Sequence, residues 1–457
     1  MFTATNPTTG KVIHEYPLTD AAATESAQEA ALEAFSHWRK TSFAERAALL
    51  NKVADVMEAD EERLARLMTL EMGKPIIEAR GEMKKSIWCA RHYAENGADY
   101  LASVTLPSDA THSYVQHLPL GPVLGILPWN APFWIGFRFL APALMAGNVC
   151  FMKHDPHVPA CAEAIAECFT KAGAPVGLVQ NLRLDKGPIE ELISGDVVRA
   201  VSLTGSSAAG SAVAAIAGKH IKPAVLELGG SDPCLILADA DLDKATDVLK
   251  ISRIINAGQS CIAAKRIIVE APVYDSFIEL YKEKLSQLKL GDPANESTQV
   301  GPIARADLRE NLHRQVQETI EQGATCLLGG DLPEGEGYFY PVTLLTDVAP
   351  GMTAACEETF GPVAVVMRAE SEEVALQIAN DTPYGLAASV WTADTEKAVR
   401  FAKEIEAGQV AINGIVKTDP RLPSGGTKRS GIGRELGPHG ILEFVNAQQV
   451  WIGPARV

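Results

Sequence analysis

Between Val123 and Leu228 short apolar runs alternate with amphipathic stretches, and this alternation limits the fold more than any other feature of the chain. The runs Val123 to Leu127, Val149 to Lys153, Leu178 to Leu182, Val198 to Thr204 and Ala224 to Leu228 read as strands. Helix-like segments separate them, one ending at Met145 and another covering Ala160 to Lys171. Strands joined through helices predict a parallel, doubly wound α/β sheet with helices on both faces. A second round follows Cys261, with strands at Arg266 to Val269, Val363 to Met367, Leu386 to Val390 and Val410 to Ile412, and predicts a second α/β domain. Ahead of both, helical signals run from Asp20 to about Ala102. Ser42 with Glu45 three residues on reads as a capping box, and Gly73 followed by Pro75 separates two helices. Ser113 to Leu118 alternates like an exposed ribbon, and Gln448 to Ile452 is a strand with no helix to pair with. Together they predict a small β arm whose bare edges call for a partner, as a homodimer or a dimer of dimers.

Composition narrows the function. A net charge of −16 over 457 residues excludes nucleic acid or an anionic membrane as the main partner and suits small-molecule chemistry. The most apolar stretch, Ala131 to Met152, carries Arg138 and is broken by Pro132, Pro142 and Gly147, so it reads as a buried helix followed by a strand, not a membrane span. Eight cysteines without framework spacing indicate a reducing compartment, the cytoplasm, and no zinc or other metal site. The stretch Met1 to Lys11 has neither the charged nor the apolar region of a signal peptide.

The chemistry gathers at two places. Cys261 stands in Gly258-Gln259-Ser260-Cys261, a small, polar stretch that is an odd setting for a structural thiol. Glu227 ends an apolar strand in Glu227-Leu228-Gly229-Gly230. A thiolate adds to an electron-poor carbonyl, and a nearby carboxylate can take a proton from the thiol or from water. The plainer reading of any one cysteine is a buried, inert thiol. Asn130, in Leu127-Pro128-Trp129-Asn130, follows a strand, where its amide either donates to an oxyanion or closes an Asx turn. Gly205-Ser206 opens a helix at a strand end, a place for phosphate or a plain cap at Ser206. It matches neither GxGxxG nor GxxxxGK(S/T). Lys153 ends another strand and reaches ribose, phosphate or solvent. Glu358 and Phe360 flank a tight turn.

Taken in order, Pro128-Trp129-Asn130, Lys153, Thr204-Gly205-Ser206, Glu227-Leu228-Gly229-Gly230, Gly258-Gln259-Ser260-Cys261, Glu358-Thr359-Phe360-Gly361-Pro362, Asn380-Asp381-Thr382-Pro383-Tyr384-Gly385 and Gly425-Gly426-Thr427-Lys428-Arg429-Ser430-Gly431 resemble the landmarks of the NAD(P)-dependent aldehyde dehydrogenases over essentially the whole chain. The resemblance implies an aldehyde-dehydrogenase-like α/β fold: a dinucleotide-binding domain over 1–103 and 121–229, a catalytic domain over 230–436, and an oligomerisation arm over 104–120 and 437–457. It implies Cys261 as nucleophile, Asn130 and the Cys261 N–H as oxyanion hole, and Glu227 as the base for thioester hydrolysis. Lys153 and Glu358 would hold ribose. Trp129, Ser206 and Phe360 would seat adenosine, pyrophosphate and nicotinamide, with Pro156, Gly205 and Leu228 in the same cofactor site.

The chain departs from the family at Ala131 and Ser424, where many members have phenylalanine, and at Pro156, three residues after Lys153, where a Glu or Ser is common. With no Ser there, and with Asp155 adding negative charge, the expected cofactor is NAD or NADP with a lean to NAD. Arg138, eight residues after Asn130, matches the carboxylate-binding arginine of succinate-semialdehyde dehydrogenases, and the short bacterial members of that group are the nearest resemblance. The other reading pairs Arg138 with a structural carboxylate. A second arginine of some relatives is replaced by Ile255, for which Lys417 or Arg421 can substitute. The expected reaction is therefore oxidation of succinate semialdehyde. The alternatives are another aliphatic or ω-carboxy aldehyde within the same class, or a cofactor-free cysteine hydrolase outside it.

Overall fold

The five strands predicted between Val123 and Leu228 all form, in a sheet whose order is Gly431–Ile432, Ala224–Glu227, Ala200–Thr204, Pro122–Leu127, Val149–His154, Val179–Asn181. All pairings are parallel except that of Gly431–Ile432. This is a computed structural model, and it describes residues 1–454, so the last three positions of the expected arm lie outside the described residues. A second sheet of seven strands runs Thr325–Leu328, Thr343–Thr346, Val363–Ala369, Arg266–Glu270, Pro233–Ile236, Ala387–Trp391, Gln409–Ile412, parallel but for its first member.

Three of these strands escape the sequence reading, and the central one is instructive. Pro233–Ile236 is only four residues, all buried, so it lacks the alternation that marks a half-exposed strand. Its proline stands at the first position, where a missing N–H is tolerated. At the N-terminus Phe2–Asn6 and Lys11–Tyr16 form an antiparallel hairpin.

The helical stretch resolves into Ala21–Trp38, Phe43–Ala59, Glu61–Met72 and Ile76–Tyr100. The Ser42 and Glu45 capping box is present, and Gly73 ends its helix at φ 76°. This layer caps the sheet helices with its acids. Glu82 accepts from the N–H groups of Phe133 and Trp134, both at 3.0 Å, at the start of helix Pro132–Met145. Glu71 does the same for Ala160 and Cys161 at the start of Pro159–Lys171. A carboxylate there satisfies orphan donors and meets the positive end of the helix dipole. Helix Pro132–Met145 is buried along its whole length, as its apolar run requires, with Arg138 inside it.

The two ribbon segments do pair. Val445–Ile452 lies antiparallel to His112–Pro119, whose other side takes Val104–Thr105. Asn130, Lys153, Gly205 and Glu227 all stand at or just past the carboxyl ends of parallel strands in the first sheet, where doubly wound folds bind ligands.

Candidate active site

The Cys261 loop is held in a strained shape. After helix Leu242–Ile254 the chain passes through Asn256 at φ 54°, Ala257 at φ 53° and Gly258 at φ 76°. Left-handed backbone costs a non-glycine residue roughly 1–2 kcal/mol, so neighbours must impose it. Glu78 accepts from Asn256 N at 2.6 Å, and Asn256 Nδ2 donates to the carbonyls of Asn130 at 2.8 Å and Gln259 at 3.1 Å. At Gly258 a β-carbon would lie 2.1 Å from the Gly361 carbonyl oxygen, which leaves no space for a side chain. Lys265, fully buried, donates to the carbonyls of Ser260 at 2.9 Å and Cys261 at 2.6 Å. Five of the other cysteines are buried, whereas Cys261 is half-exposed and lines a cavity of about 340 Å³. Burial pushes its thiol up to about 11, opposed by the charges of Arg138 and Lys265.

Asn130 enters the same cavity, its Nδ2 donating to the Gln259 carbonyl at 3.1 Å. Its side-chain amide is thus aimed at the cysteine loop. Trp134 and Ile135 supply apolar wall, and so does Ala131, the small residue noted as a departure.

Glu227 is the last residue of its strand and is 4% exposed. Its Oε2 accepts from Arg138 Nη2 at 3.3 Å, while Oε1 is buried without a hydrogen-bond partner among the described residues. Arg138 also forms an ion pair with Glu435. Burial pushes the Glu227 carboxyl up to about 8; the Glu435 charge adds to this and Arg138 opposes it. Gly425 makes room here, since a β-carbon would stand 2.7 Å from Glu227 Oε1. Arg138 lines the cavity, yet its guanidinium is shared by two buried carboxylates, so the alternative in which it pairs with protein acids is the arrangement observed. Sequence reasoning missed Glu435, although Arg434-Glu435-Leu436-Gly437 repeats the glycine-flanked carboxylate seen at Glu227.

Two candidates do not reach the cavity. Lys417 is exposed, and Arg421 turns outward to Asp419 at 2.7 Å and over the Trp88 ring. The reason lies between them: Thr418 points inward, accepting from Lys85 at 2.7 Å and Trp134 Nε1 at 3.1 Å, so its neighbours are directed away. Ser424 is buried, its backbone paired to Glu435.

Around the first sheet's strand ends lies a second group. Ser206 caps helix Ser207–Lys219, its Oγ accepting from Ala209 N at 3.2 Å, and Gly205 leads into that turn. Lys153 is half-buried, is in no ion pair among the described residues, and has its pKa lowered by burial. Glu358 accepts from Gly230 N at 3.2 Å and pairs with Lys265 at 3.3 Å. Phe360 meets the Trp129 ring edge-on at 5.9 Å, and the Leu228 side chain covers Gly210. The Lys153 ammonium and the helix N-terminus at Ser206 each supply donors suited to phosphate and ribose oxygens, so these residues fit a nicotinamide dinucleotide. Among the described residues no cluster of metal-ligating side chains occurs, and no helix is long and apolar enough to cross a membrane.

The comparisons with known proteins agree with this geometry. The Aldehyde dehydrogenase family model matches residues 1–450. A Synechocystis protein named as a probable NADP(+) succinate-semialdehyde dehydrogenase is 46% identical over 98% of each chain. The NADP(+) succinate-semialdehyde dehydrogenase 1 of Mycobacterium ulcerans is 45% identical over 98% of this chain and 99% of its own. The crystal structure of succinic semialdehyde dehydrogenase from Streptococcus pyogenes, in complex with NADP+ as the cofactor, superposes with a TM-score of 0.97 at 34% identity, covering 99% of this chain and 100% of that one. These cofactor names overturn the lean to NAD. The Asp155 carboxylate, expected to repel a 2′-phosphate, accepts from His157 N at 3.0 Å and Nδ1 at 2.6 Å, contacts that the sequence reading did not count. With the family's landmarks in order and its fold over the whole length, a cofactor-free hydrolase is set aside, and the chain belongs to the aldehyde dehydrogenase family.

Proposed function

We propose that this aldehyde dehydrogenase oxidises succinate semialdehyde to succinate with NADP+, in the cytoplasm, as an oligomer built on dimers. The observation that carries the mechanism is Glu227 Oε1, a buried carboxylate oxygen with no hydrogen-bond partner among the described residues, in an acid whose pKa of about 8 suits a base near neutral pH. Cys261 attacks the aldehyde carbon as Glu227 receives the thiol proton. The developing oxyanion takes hydrogen bonds from Asn130 Nδ2 and the Cys261 N–H. When bound, NADP+ supplies the hydride acceptor that turns the adduct into a thioester. Lys153 and Glu358 would hold its ribose hydroxyls, Ser206 and the following helix N-terminus its pyrophosphate, and Trp129 and Phe360 would contact its rings, in a site that would be completed by Gly205, Leu228 and Pro156. Glu227 gives up the first proton to solvent and then takes one from water, whose oxygen adds to the thioester carbon and expels the Cys261 sulfur as a thiolate, releasing the carboxylic acid. Arg138 and Glu435 hold Glu227 in place and set its proton affinity.

Names of relatives across the full length support the substrate and cofactor. All eight cysteines are free, in keeping with a reducing compartment. The arm exposes Val104, Trp451 and Ile452, apolar side chains that a partner would cover. The test is an absorbance screen at the reduced-nicotinamide band that crosses ω-carboxy, aliphatic and aromatic aldehydes with NAD and NADP. The reading expects the highest kcat/KM with succinate semialdehyde and NADP. A better neutral aldehyde would refute the substrate, and a better NAD the cofactor.

A further inference from the structure

Three cations line the cavity: Lys74, Lys85 and Arg138. Two are already compensated, Lys74 by Glu82 and Arg138 by Glu227 and Glu435. Lys85 differs, for among the described residues it is in no ion pair. Its Nζ donates to Thr418 Oγ1 at 2.7 Å and stands 4.1 Å from the centre of the Trp134 ring. Thr418 is fixed in turn by Trp134 Nε1 at 3.1 Å. An ammonium carries three donors, and Thr418 uses one, so donors remain for a ligand.

Lys85 reaches the cavity because helix Ile76–Tyr100 turns Glu78, Glu82 and Lys85 to one side at helical spacing. A half-buried ammonium with no carboxylate in direct contact is costly, and the cost appears as a pKa drawn down to about 8, chiefly by burial and then by Arg138, with Glu82 and Asp419 opposing from farther away. Arg138 is also the cation that acts most strongly on the Cys261 thiol, so one residue bridges the reacting end of the cavity and the Lys85 end. Between them Ala131, Trp134 and Ile135 offer apolar contacts suited to methylene groups.

We infer that Lys85, with Thr418 and the face of Trp134, is the receptor for a distal carboxylate on the aldehyde, which makes the substrate class short ω-oxo carboxylates. The inference rests on the proposed function and assigns its specificity to a residue other than Arg138. A carboxylate at this place gains the ammonium's unused donors and removes an uncompensated charge, whereas a neutral aldehyde gains neither.

The experiment measures kcat/KM for succinate semialdehyde and for butanal, its neutral four-carbon counterpart, with NADP+. It compares wild type, Lys85→Met and Lys85→Arg, and wild type across pH 7 to 9.5. The acid-to-neutral ratio should fall about 30- to 100-fold in Lys85→Met, as expected for loss of one charge-assisted contact, with butanal turnover held within about threefold, and Lys85→Arg should restore most of it. The ratio in wild type should also decline as pH rises through about 8, where the free ammonium loses its proton. The groups facing that ammonium are Glu82 and Cys89 on its own helix, Arg138 and Trp134 on helix Pro132–Met145, and Thr418 and Asp419 on the loop. Titration of Glu227 and Cys261 serves both aldehydes and cancels in the ratio. A wild-type ratio near one overturns the substrate reading and the inference with it. A high wild-type ratio that Lys85→Met leaves unchanged, or that stays flat with pH, overturns the inference alone.

Discussion

Replacing Arg138 by methionine separates two roles that the sequence leaves open. In the structure the guanidinium lies 3.3 Å from Glu227 Oε2 and is paired with Glu435 as well. At that distance and an effective dielectric near 20, the attraction to an ionised Glu227 is roughly 5 kcal/mol, or between about 3 and 4 pH units, an upper figure because Glu435 competes for the same cation. Without Arg138, burial and the neighbouring Glu435 act on Glu227 unopposed by that cation, so its carboxyl rises well above its present value of about 8. A base protonated throughout the assay range no longer serves the thiol or the water. Turnover at pH 8 should therefore fall on the order of 10²–10³-fold, within the usual range for loss of a general base. The loss should be equal for succinate semialdehyde and butanal, and the rising limb of the pH profile should move to alkaline pH. The assay is kcat/KM for both aldehydes from pH 6.5 to 10, with thermal unfolding to confirm a folded protein. If the acid substrate alone loses activity while butanal keeps its rate and its profile, Arg138 binds the substrate carboxylate and the argument from its two carboxylate partners is wrong.

Wild-type kcat/KM should rise with pH through about 8, the direction required when Glu227 must shed its proton to act, and a profile that falls there would remove Glu227 as base. Glu227→Gln should lose about 10²–10⁴-fold in steady turnover, and rapid mixing should show the first-turnover burst slowed too, because a thiol at about 11 has little thiolate of its own; a full burst would confine Glu227 to thioester hydrolysis. Gly258→Ala should lower the unfolding temperature by several degrees and blunt alkylation of Cys261, since its β-carbon would meet the Gly361 carbonyl at 2.1 Å, and normal labelling kinetics would show that the loop relaxes without cost. Lys153→Ala should raise the NADP+ KM about 10- to 100-fold, the size of a hydrogen bond from a charged group, with little change for the aldehyde; an unaffected cofactor KM would place Lys153 outside the cofactor site.

What was legible in the sequence follows from how each feature is encoded. The first sheet could be read because each of its strands is an apolar run set between helices, whereas Pro233–Ile236 could not, since four buried residues carry no period. Cys261, Glu227 and Asn130 stood out because reactive side chains in glycine-rich or loop settings conflict with a plain structural role. Lys85, Lys265 and Glu78 conflict with nothing in their local text: a lysine or glutamate within an ordinary stretch gives no sign that it will be turned inward. Lys417 and Arg421 failed for the same reason reversed, as the inward turn of Thr418 is decided by donors on two distant helices. The lean to NAD was drawn from the charge of Asp155 and the absence of a Ser at Pro156, two local features that do not decide the cofactor named for the relatives.

The proton arrangement of the resting site bears on why the carboxylate cluster is built as it is. Burial raises both the Cys261 thiol and the Glu227 carboxyl above their ordinary values, so the cysteine rests as a thiol until an aldehyde is there to attack. In the proposed mechanism the penalty on a buried thiolate is relieved as the aldehyde is attacked, because charge would leave sulfur for an oxygen held by Asn130 and the Cys261 N–H. Arg138 opposes the effect of burial at both groups. A stronger ion pair to Glu227 alone would lower the acid and weaken it as a base, and no pair would leave it permanently protonated. Sharing the guanidinium between Glu227 and Glu435 holds Glu227 between those limits, which gives Glu435 a reason to be buried at a place where it touches no proton of the reaction.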